Sequence, residues 1–459
     1  MAAAWSATLG PIEGRGRRVG RKRLIGPVAP LLTKLGPLVV AAPAVLMLAY
    51  AAKFAIRIPI WDGWSWILLL KEYQSGERSL LGVLSFVHIE HPYGLPSALF
   101  VAVGHPFRYR FDPVCVVCAG FLCVGALVFL RGAHRDGLRG LFNFLLIAAV
   151  LLSLRQCDNI LYAFQLGFPM TVALGMIAVY SAVKIGELET TRTAAAWIAL
   201  LVFLLSAAML SSAAAPACFV GAALPLFLSR GKQAFRALMA VALAAVFWVG
   251  RYIFSIFRHA RARPEEAGGA ADALVGFLSV IGSGLTDSRA GSVMAGLVIL
   301  ATFVILLVVL RRQGRQPVFL ISVGLFSLAL AATVTAGRGG MGGIVPGRYT
   351  SFTLPLVAAT LALLFLWLRE QPLLRRRMAM AACAILLGIS IAKGTAVAWD
   401  SGKVAHTQAA ILAAIMKREG PKSAQEIGLL NPGPTTLIDS LVQFLKEEKY
   451  NLFASPSLR

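Results

Sequence analysis

Charge is what this sequence lacks most: only 14% of its 459 residues are charged and 21 are acidic, while 58% fall in the hydrophobic set. A soluble domain carries roughly a quarter charged residues, so a water-soluble single domain is excluded. Cysteine is scarce as well. The six present lie mostly inside apolar runs, which excludes a disulfide framework and zinc-ligand spacing and leaves the redox compartment open. No convincing small-residue cleavage site follows the first apolar run. No internal repeat of the inverted-repeat transporter kind is visible.

Lysine and arginine, by contrast, number 44, for a formal net charge of +23. They sit in short groups between apolar runs of transmembrane length, so the surplus is a topology signal and no nucleic-acid partner is expected. Arg15, Arg17, Arg18, Arg21, Lys22, Arg23 and Lys34 precede an apolar run over 35–56, read as a retained first membrane helix with a cytoplasmic start. Further runs follow near 113–131, 139–154, 168–183, 193–210, 214–229, 236–257, 290–310, 317–336, 349–368 and 378–397. Together they predict an all-α polytopic membrane protein of about eleven spans. The clusters around Arg131 to Arg139, Lys184 to Arg192, Arg230 to Arg236, Arg311 to Arg315 and Arg369 to Arg377 then fall on the side of the basic amino terminus. The other side receives the longer connections, 57–112, 155–167, 258–289 and 336–348. Only Arg258, Arg261 and Arg263 sit badly. The division expected is a basic segment over 1–34, a membrane domain over 35–397 and an outer helical tail over 398–459. Leu95 to Gly104 is too short to cross and is expected to lie against the outer leaflet. The tail reads as two amphipathic helices, near His406–Arg418 and Thr436–Glu448, joined by Asn431-Pro432-Gly433-Pro434, and as a small packing cap.

Polar chemistry gathers in the first outer loop, 57–112. Trp61-Asp62-Gly63-Trp64-Ser65-Trp66 places a carboxylate just beyond the first span among three indoles, side chains that anchor at the membrane interface. An acid there faces the lipid–water boundary and is able to take a proton from an acceptor hydroxyl. The simpler alternative is that Asp62 caps the helix that follows. His88-Ile89-Glu90-His91-Pro92 is not the His-Glu-x-x-His of zinc peptidases. If helical, His88 and His91 share a face; Pro92 makes an extended or turning end equally open. Binding a divalent cation together with Asp62, positioning a phosphate, proton transfer and a merely solvated turn all fit. Gln156, Asp158, Asn159, Tyr162 and Gln165 fall at the same depth. Arg338 lies in a glycine-rich run over 336–343, and Arg348-Tyr349 open a span; arginine and glycine amides there suit phosphate oxygens. The run has no Lys-Ser or Lys-Thr ending and is no nucleotide loop. Arg251, inside a span, is costly to bury and faces a polar cavity or snorkels.

Trp61-Asp62-x-Trp64, His88-x-Glu90-His91, Asn159-x-Leu161-Tyr162-x-Phe164-Gln165 and the glycine-rich segment ending Arg348-Tyr349, in that order, resemble bacterial membrane proteins related to the GT-C glycosyltransferases. That superfamily includes protein O-mannosyltransferases and the aminoarabinose transferases of lipid A. Even the tail, Phe444 to Glu448 with Leu452-Phe453, fits the group. The resemblance implies a GT-C-like fold and inverting transfer of a sugar from a polyprenyl-phosphate carrier to a cell-envelope glycan, lipid or protein outside the bacterial cytoplasmic membrane. It assigns the catalytic carboxylate to Asp62 with Glu90 as a second acid, although an adjacent acidic pair common in the superfamily is missing. Arg338 and Arg348 would hold the carrier phosphate, His88 or His91 would orient it or the acceptor, and Asp158, Asn159, Gln165 and Tyr349 would complete the substrate site. A lipid-linked saccharide transporter or flippase, and a noncatalytic assembly subunit, are the rival readings. Transporters place charge near the bilayer midplane, whereas the polar groups here gather at one surface.

Overall fold

The computed structural model describes residues 29–89, 91–229, 231–259, 269–338, 345, 347–418 and 435–453. By contacts the chain falls into a short unit, Met1–Val39, and a unit spanning Val40–Arg459 that carries everything discussed below. Among the described residues, eight helices are long and apolar enough to cross a membrane, and the chain is an all-α polytopic membrane protein. Each of the apolar runs read from the sequence lies on a helix. Those near 35–56, 139–154 and 214–229 appear as shorter apolar stretches, Val40–Phe54, Leu141–Gln156 and Pro216–Leu228.

In chain order, α1 (Ala29–Phe54) leads into the first long connection, which is itself folded. It contains α2 (Gly63–Gln74), α3 (Leu80–Leu84), a hairpin of β1 (Val87–His88) and β2 (His91–Pro92), and α4 (Gly94–Gly104). Then come α5 (Asp112–Arg135), α6 (Leu141–Leu151), the single turn α7 (Asp158–Leu161) and α8 (Gly167–Ile185). Next are α9 (Thr191–Met209), α10 (Pro216–Leu228), α11 (Lys232–His259), α12 (Ala270–Gly282), α13 (Arg289–Arg312), α14 (Val318–Arg338) and α15 (Thr350–Leu368). The chain closes with α16 (Leu373–Lys417) and α17 (Thr435–Glu447).

Three features depart from the sequence reading. The connection over 258–289 contains α12, which packs back against α13 where Gly282 and Gly296 let the backbones meet. Its 13 residues are too few to give a span-length signal. The helix expected near His406–Arg418 is not a separate element but the end of α16. That helix runs 45 residues without a break, roughly 67 Å at 1.5 Å per residue and about twice the hydrocarbon thickness. It is held at mid-length, where Tyr50 donates to the Ala398 carbonyl at 2.7 Å and Trp399 packs edge-on to Phe54. Finally, Trp64 and Trp66 do not anchor at a lipid interface. They are 1% and 0% exposed, and Trp66 Nε1 donates to Ser97 Oγ. Only Trp61 is exposed, against Tyr162. The short helix α4, expected against a leaflet, buries Pro96, Ser97, Phe100 and Val101 in the protein.

The tail is a cap, as its amphipathic pattern suggests. Ile438, Leu441, Val442 and Leu445 of α17 are buried, and Gln74 of α2 donates to the Tyr450 hydroxyl. Asn451 Nδ2 bonds the carbonyls of Arg57 and Tyr109 at 2.8 and 3.0 Å, tying the tail to both ends of the first connection. The turn at Asn431–Pro434 lies outside the described residues, as do the side chains of Arg258, Arg261 and Arg263.

The ends of the spans segregate by charge. Arg135, Glu187, Ser229, Arg315 and Arg369, at or just beyond the last turns of α5, α8, α10, α13 and α15, line one space. We call this the basic end. Asp136 is partly buried there and accepts the Leu320 amide at 2.9 Å, capping the start of α14 from a neighbouring connection. Burial pushes its carboxyl up to about 7. An acid raised in the folded state binds its proton more tightly than the unfolded chain does. Stability therefore falls as pH rises from about 4 to about 7. Asp136→Asn, which keeps an acceptor for Leu320, is expected to flatten that slope in thermal unfolding followed across pH.

Gly94 opens α4 where any Cβ would stand 1.7 Å from the Leu84 carbonyl oxygen, whereas a Cβ on Gly120 meets nothing within 4 Å. Gly94→Ala should cost about 3 kcal/mol or more through forced backbone movement. Gly120→Ala should be neutral or stabilising by up to about 1 kcal/mol. Thermal unfolding of the two variants in detergent checks the contrast.

Candidate functional site

Opposite the basic end, the first connection folds over the starts of α8 and α15 and the end of α14. The local chain explains how. Asp62 occupies the N-cap position of α2, but its side chain makes no capping hydrogen bond. The carboxylate is instead 3.4 Å from His88 Nε2, with Asp62 half-exposed and His88 14% exposed. His88 and His91 are neither helical nor a solvated turn. They are cross-strand partners in a two-residue-turn hairpin, which puts both side chains beside each other on one face. Ile89 in that turn has φ +56°, a conformation costly for a β-branched residue and characteristic of functional sites. Glu90 lies outside the described residues.

The hairpin is clamped from behind. The buried Tyr93 hydroxyl donates to the Phe164 carbonyl and accepts the Gly167 amide at 3.0 Å. Burial raises the Tyr93 phenol far above its ordinary range, so it stays a neutral donor. Phe164 meets His88 edge-on at 4.9 Å between centroids.

Arg348 and Tyr349 arrive from the other side, on a 3-10 turn at Gly347–Tyr349 just before α15. Asn159 holds that turn, its Nδ2 donating to the Arg348 carbonyl at 2.8 Å and to Ser351 Oγ at 3.1 Å. Thr350 Oγ1 donates to the Gly347 carbonyl at 2.6 Å. Asp158 packs against Gly347. Burial raises its carboxyl above the ordinary range, a rise that the side chain and backbone of Arg348 partly offset. Arg155, almost fully buried, pairs with Asp287 at 2.6 Å and so ties the α12–α13 turn to the same support.

These parts enclose a cavity of about 160 Å³. Of the residues singled out from the sequence, Asp62, His88, His91, Gln165, Arg348 and Tyr349 line it. Asp158 and Asn159 do not line it but stand behind Arg348 as its support. Arg338 closes α14, one residue beyond the lining Gly337, and its side chain is outside the described residues. Arg251 neither points into this cavity nor is buried. It is exposed and stacks on Trp248 beside a separate small recess. Among the described residues, no group of three His, Cys, Asp or Glu side chains is arranged to hold a metal ion.

The sequence reading missed Tyr93, Ser212, Tyr252 and Thr333, all of which line the cavity. Tyr93 had a signal, standing two residues after His91. Tyr252 and Thr333 had none, because a single polar atom on an otherwise apolar span does not distinguish a cavity from a helix contact. Phe164, Phe168, Val334 and Phe352 make the rest of the wall apolar. A cation, a carboxylate–imidazole pair and an apolar wall in one recess suit an amphiphilic anion beside a group that must lose a proton. No protein-family model matches the chain, and comparison with curated proteins finds no match.

The support of Arg348 gives a prediction. Asn159→Ala deletes two hydrogen bonds and leaves the part-buried Arg348 carbonyl with only the Ser351 hydroxyl as side-chain donor, at 3.2 Å, a loss of about 1–2 kcal/mol. Chemical or thermal unfolding of the variant should show it, and a stability equal to wild type would mean the turn is held elsewhere.

Proposed function

We propose that the protein is a membrane glycosyltransferase of GT-C type that moves a sugar from a polyprenyl-phosphate-linked donor to a cell-envelope glycan, lipid or protein. The reaction belongs at the outer face of the bacterial cytoplasmic membrane, with the basic end cytoplasmic. The observation that carries the reading is that Asp62, placed to cap α2, does not cap it and instead lines a recess with His88 and Arg348. The order of motifs resembling that superfamily is the second support.

In this reading the acceptor hydroxyl gives its proton to Asp62 as its oxygen attacks the anomeric carbon from the face opposite the phosphate. The bond from that carbon to the phosphate oxygen breaks, and the pair of electrons leaves with polyprenyl phosphate. Arg348 faces the charge that grows on the leaving oxygen. His88 Nε2 stands 3.4 Å from the Asp62 carboxylate on the same side of the recess. The apolar wall takes the first part of the carrier chain. Net proton balance is kept when protonated Asp62 returns its proton to water. A divalent cation is not needed for any of these steps.

The test is complementation of a deletion strain, with envelope glycans and lipids followed by mass spectrometry. Wild type should restore the glycosylated product, and Asp62→Asn should reduce it by at least about a hundredfold, the lower range for a general base. The same variant should still be labelled by a photoreactive polyprenyl phosphate. Full restoration by Asp62→Asn at equal membrane abundance would overturn the reading in favour of transport or an assembly role.

A further inference from the structure

At the basic end the chain builds a second cavity, larger than the first, of about 590 Å³, within the size range of ligand sites. Its cationic lining is Arg135, Arg315 and Arg369, carried by or adjoining the α5–α6, α13–α14 and α15–α16 connections. Three connections far apart in sequence thus deliver one guanidinium each to a common space. Two acids share the lining, and both are engaged. Asp136 accepts the Leu320 amide, and Glu187 pairs with Arg135. Arg315 reaches Glu370 at 2.5 Å. Arg369 spends one of its five guanidinium donors on the Gly137 carbonyl at 2.7 Å and is paired with no carboxylate among the described residues.

A structural cause for arginines here has to be weighed. Five helices end at this cavity, and a cation near a helix C-terminus is favourable without any ligand. That accounts for Arg135 at the end of α5. It reaches Arg315 as well, whose Nη1 donates to the Leu366 carbonyl in the last turn of α15 at 3.4 Å, but it does not account for the space itself. The lining also holds apolar side chains, among them Val183, Pro225, Leu228, Leu310 and Leu366. Leu228 is 40% exposed and its neighbour Phe227 74%, so the apolar wall continues onto the outer flank of α10. A cationic recess opening sideways onto an apolar flank has the shape of a site for an amphiphile lying along the helices.

We propose that this cavity binds a phosphate-bearing anion, the headgroup of an anionic phospholipid from the leaflet at the basic end. The phosphate sits among Arg135, Arg315 and Arg369, and the acyl chains leave along α10 past Leu228. Basic pockets between spans bind anionic lipid headgroups by the same electrostatics. The site is independent of the Asp62 cavity and of any reaction there.

Native mass spectrometry of the full chain in a zwitterionic detergent, titrated with phosphatidylglycerol or phosphatidylcholine, tests it. Wild type should retain phosphatidylglycerol at least about tenfold better, and Arg369→Gln should weaken that retention about fivefold, the scale of one basic residue facing an anionic lipid. Arg315→Gln with Arg369→Gln should remove the preference, and Arg369→Lys should restore most of what Arg369→Gln loses. Thermal unfolding without added lipid confirms that the variants fold. Inorganic phosphate at millimolar level displacing the lipid fully would keep the site and assign it to a soluble phosphate. Equal retention of the two lipids by wild type, or an unchanged preference in the folded double variant, would overturn the proposal.

Discussion

Non-helical backbone at the end of a membrane-embedded helix bundle has to find hydrogen-bond partners inside the protein, because hydrocarbon supplies none. Around the Asp62 cavity this constraint is met by a few buried side chains, each binding a main-chain carbonyl far away in sequence. Tyr93 reaches Phe164, Asn159 reaches Arg348, and Asn451 reaches Arg57 and Tyr109. The hairpin, the turn that opens α15, and the two ends of the first connection are thereby fixed in place. Asp62, His88, His91 and Arg348 all reach the cavity from these fixed segments.

That arrangement separates residues that touch a ligand from residues that set the ligand's surroundings. Asn159 and Thr350 are buried and Asp158 partly so, all close to Arg348, yet none lines the recess. Their work is to keep a turn of irregular backbone at membrane depth without unsatisfied groups. A raised Asp158 carboxyl beside Arg348 is the electrostatic side of the same support.

Much of the architecture was legible because spans declare themselves by length and apolarity, and their ends by arginine. The eleven apolar runs and the segregation of basic clusters both reappear as helices and as one charged end. What stayed hidden has a common physical cause. Indoles bury as readily in protein as they anchor in an interface, so Trp64 and Trp66 carried no distinguishing mark. α12, at 13 residues, is shorter than a span that hydropathy detects, and α16 continues from an apolar into a polar stretch with no proline to end it near Ala398. For the site, residue type indicated Asp62, His88, His91 and Arg348 as a group. Whether Asp62 caps a helix or faces a cavity depends on a side-chain torsion, which one-dimensional spacing does not encode. His88 and His91 became neighbours through a hairpin whose turn residue, Ile89, is among the least suited to a positive φ.

The two ends of the molecule answer opposite electrostatic demands. The basic end collects guanidinium groups where helix C-termini already present negative charge, which fixes them without a catalytic purpose and leaves Arg369 to meet an external anion. At the other end Arg348 and Asp62 line the same recess, and the Asp62 side chain does not cap α2. Leaving α2 uncapped costs the chain about 1 kcal/mol. The fold tolerates that cost at the one helix start where the released carboxylate meets an imidazole, a guanidinium and an apolar wall in the same recess. A purely structural origin for Asp62 has no use for that exchange, and a site for an anionic amphiphile and a proton donor does.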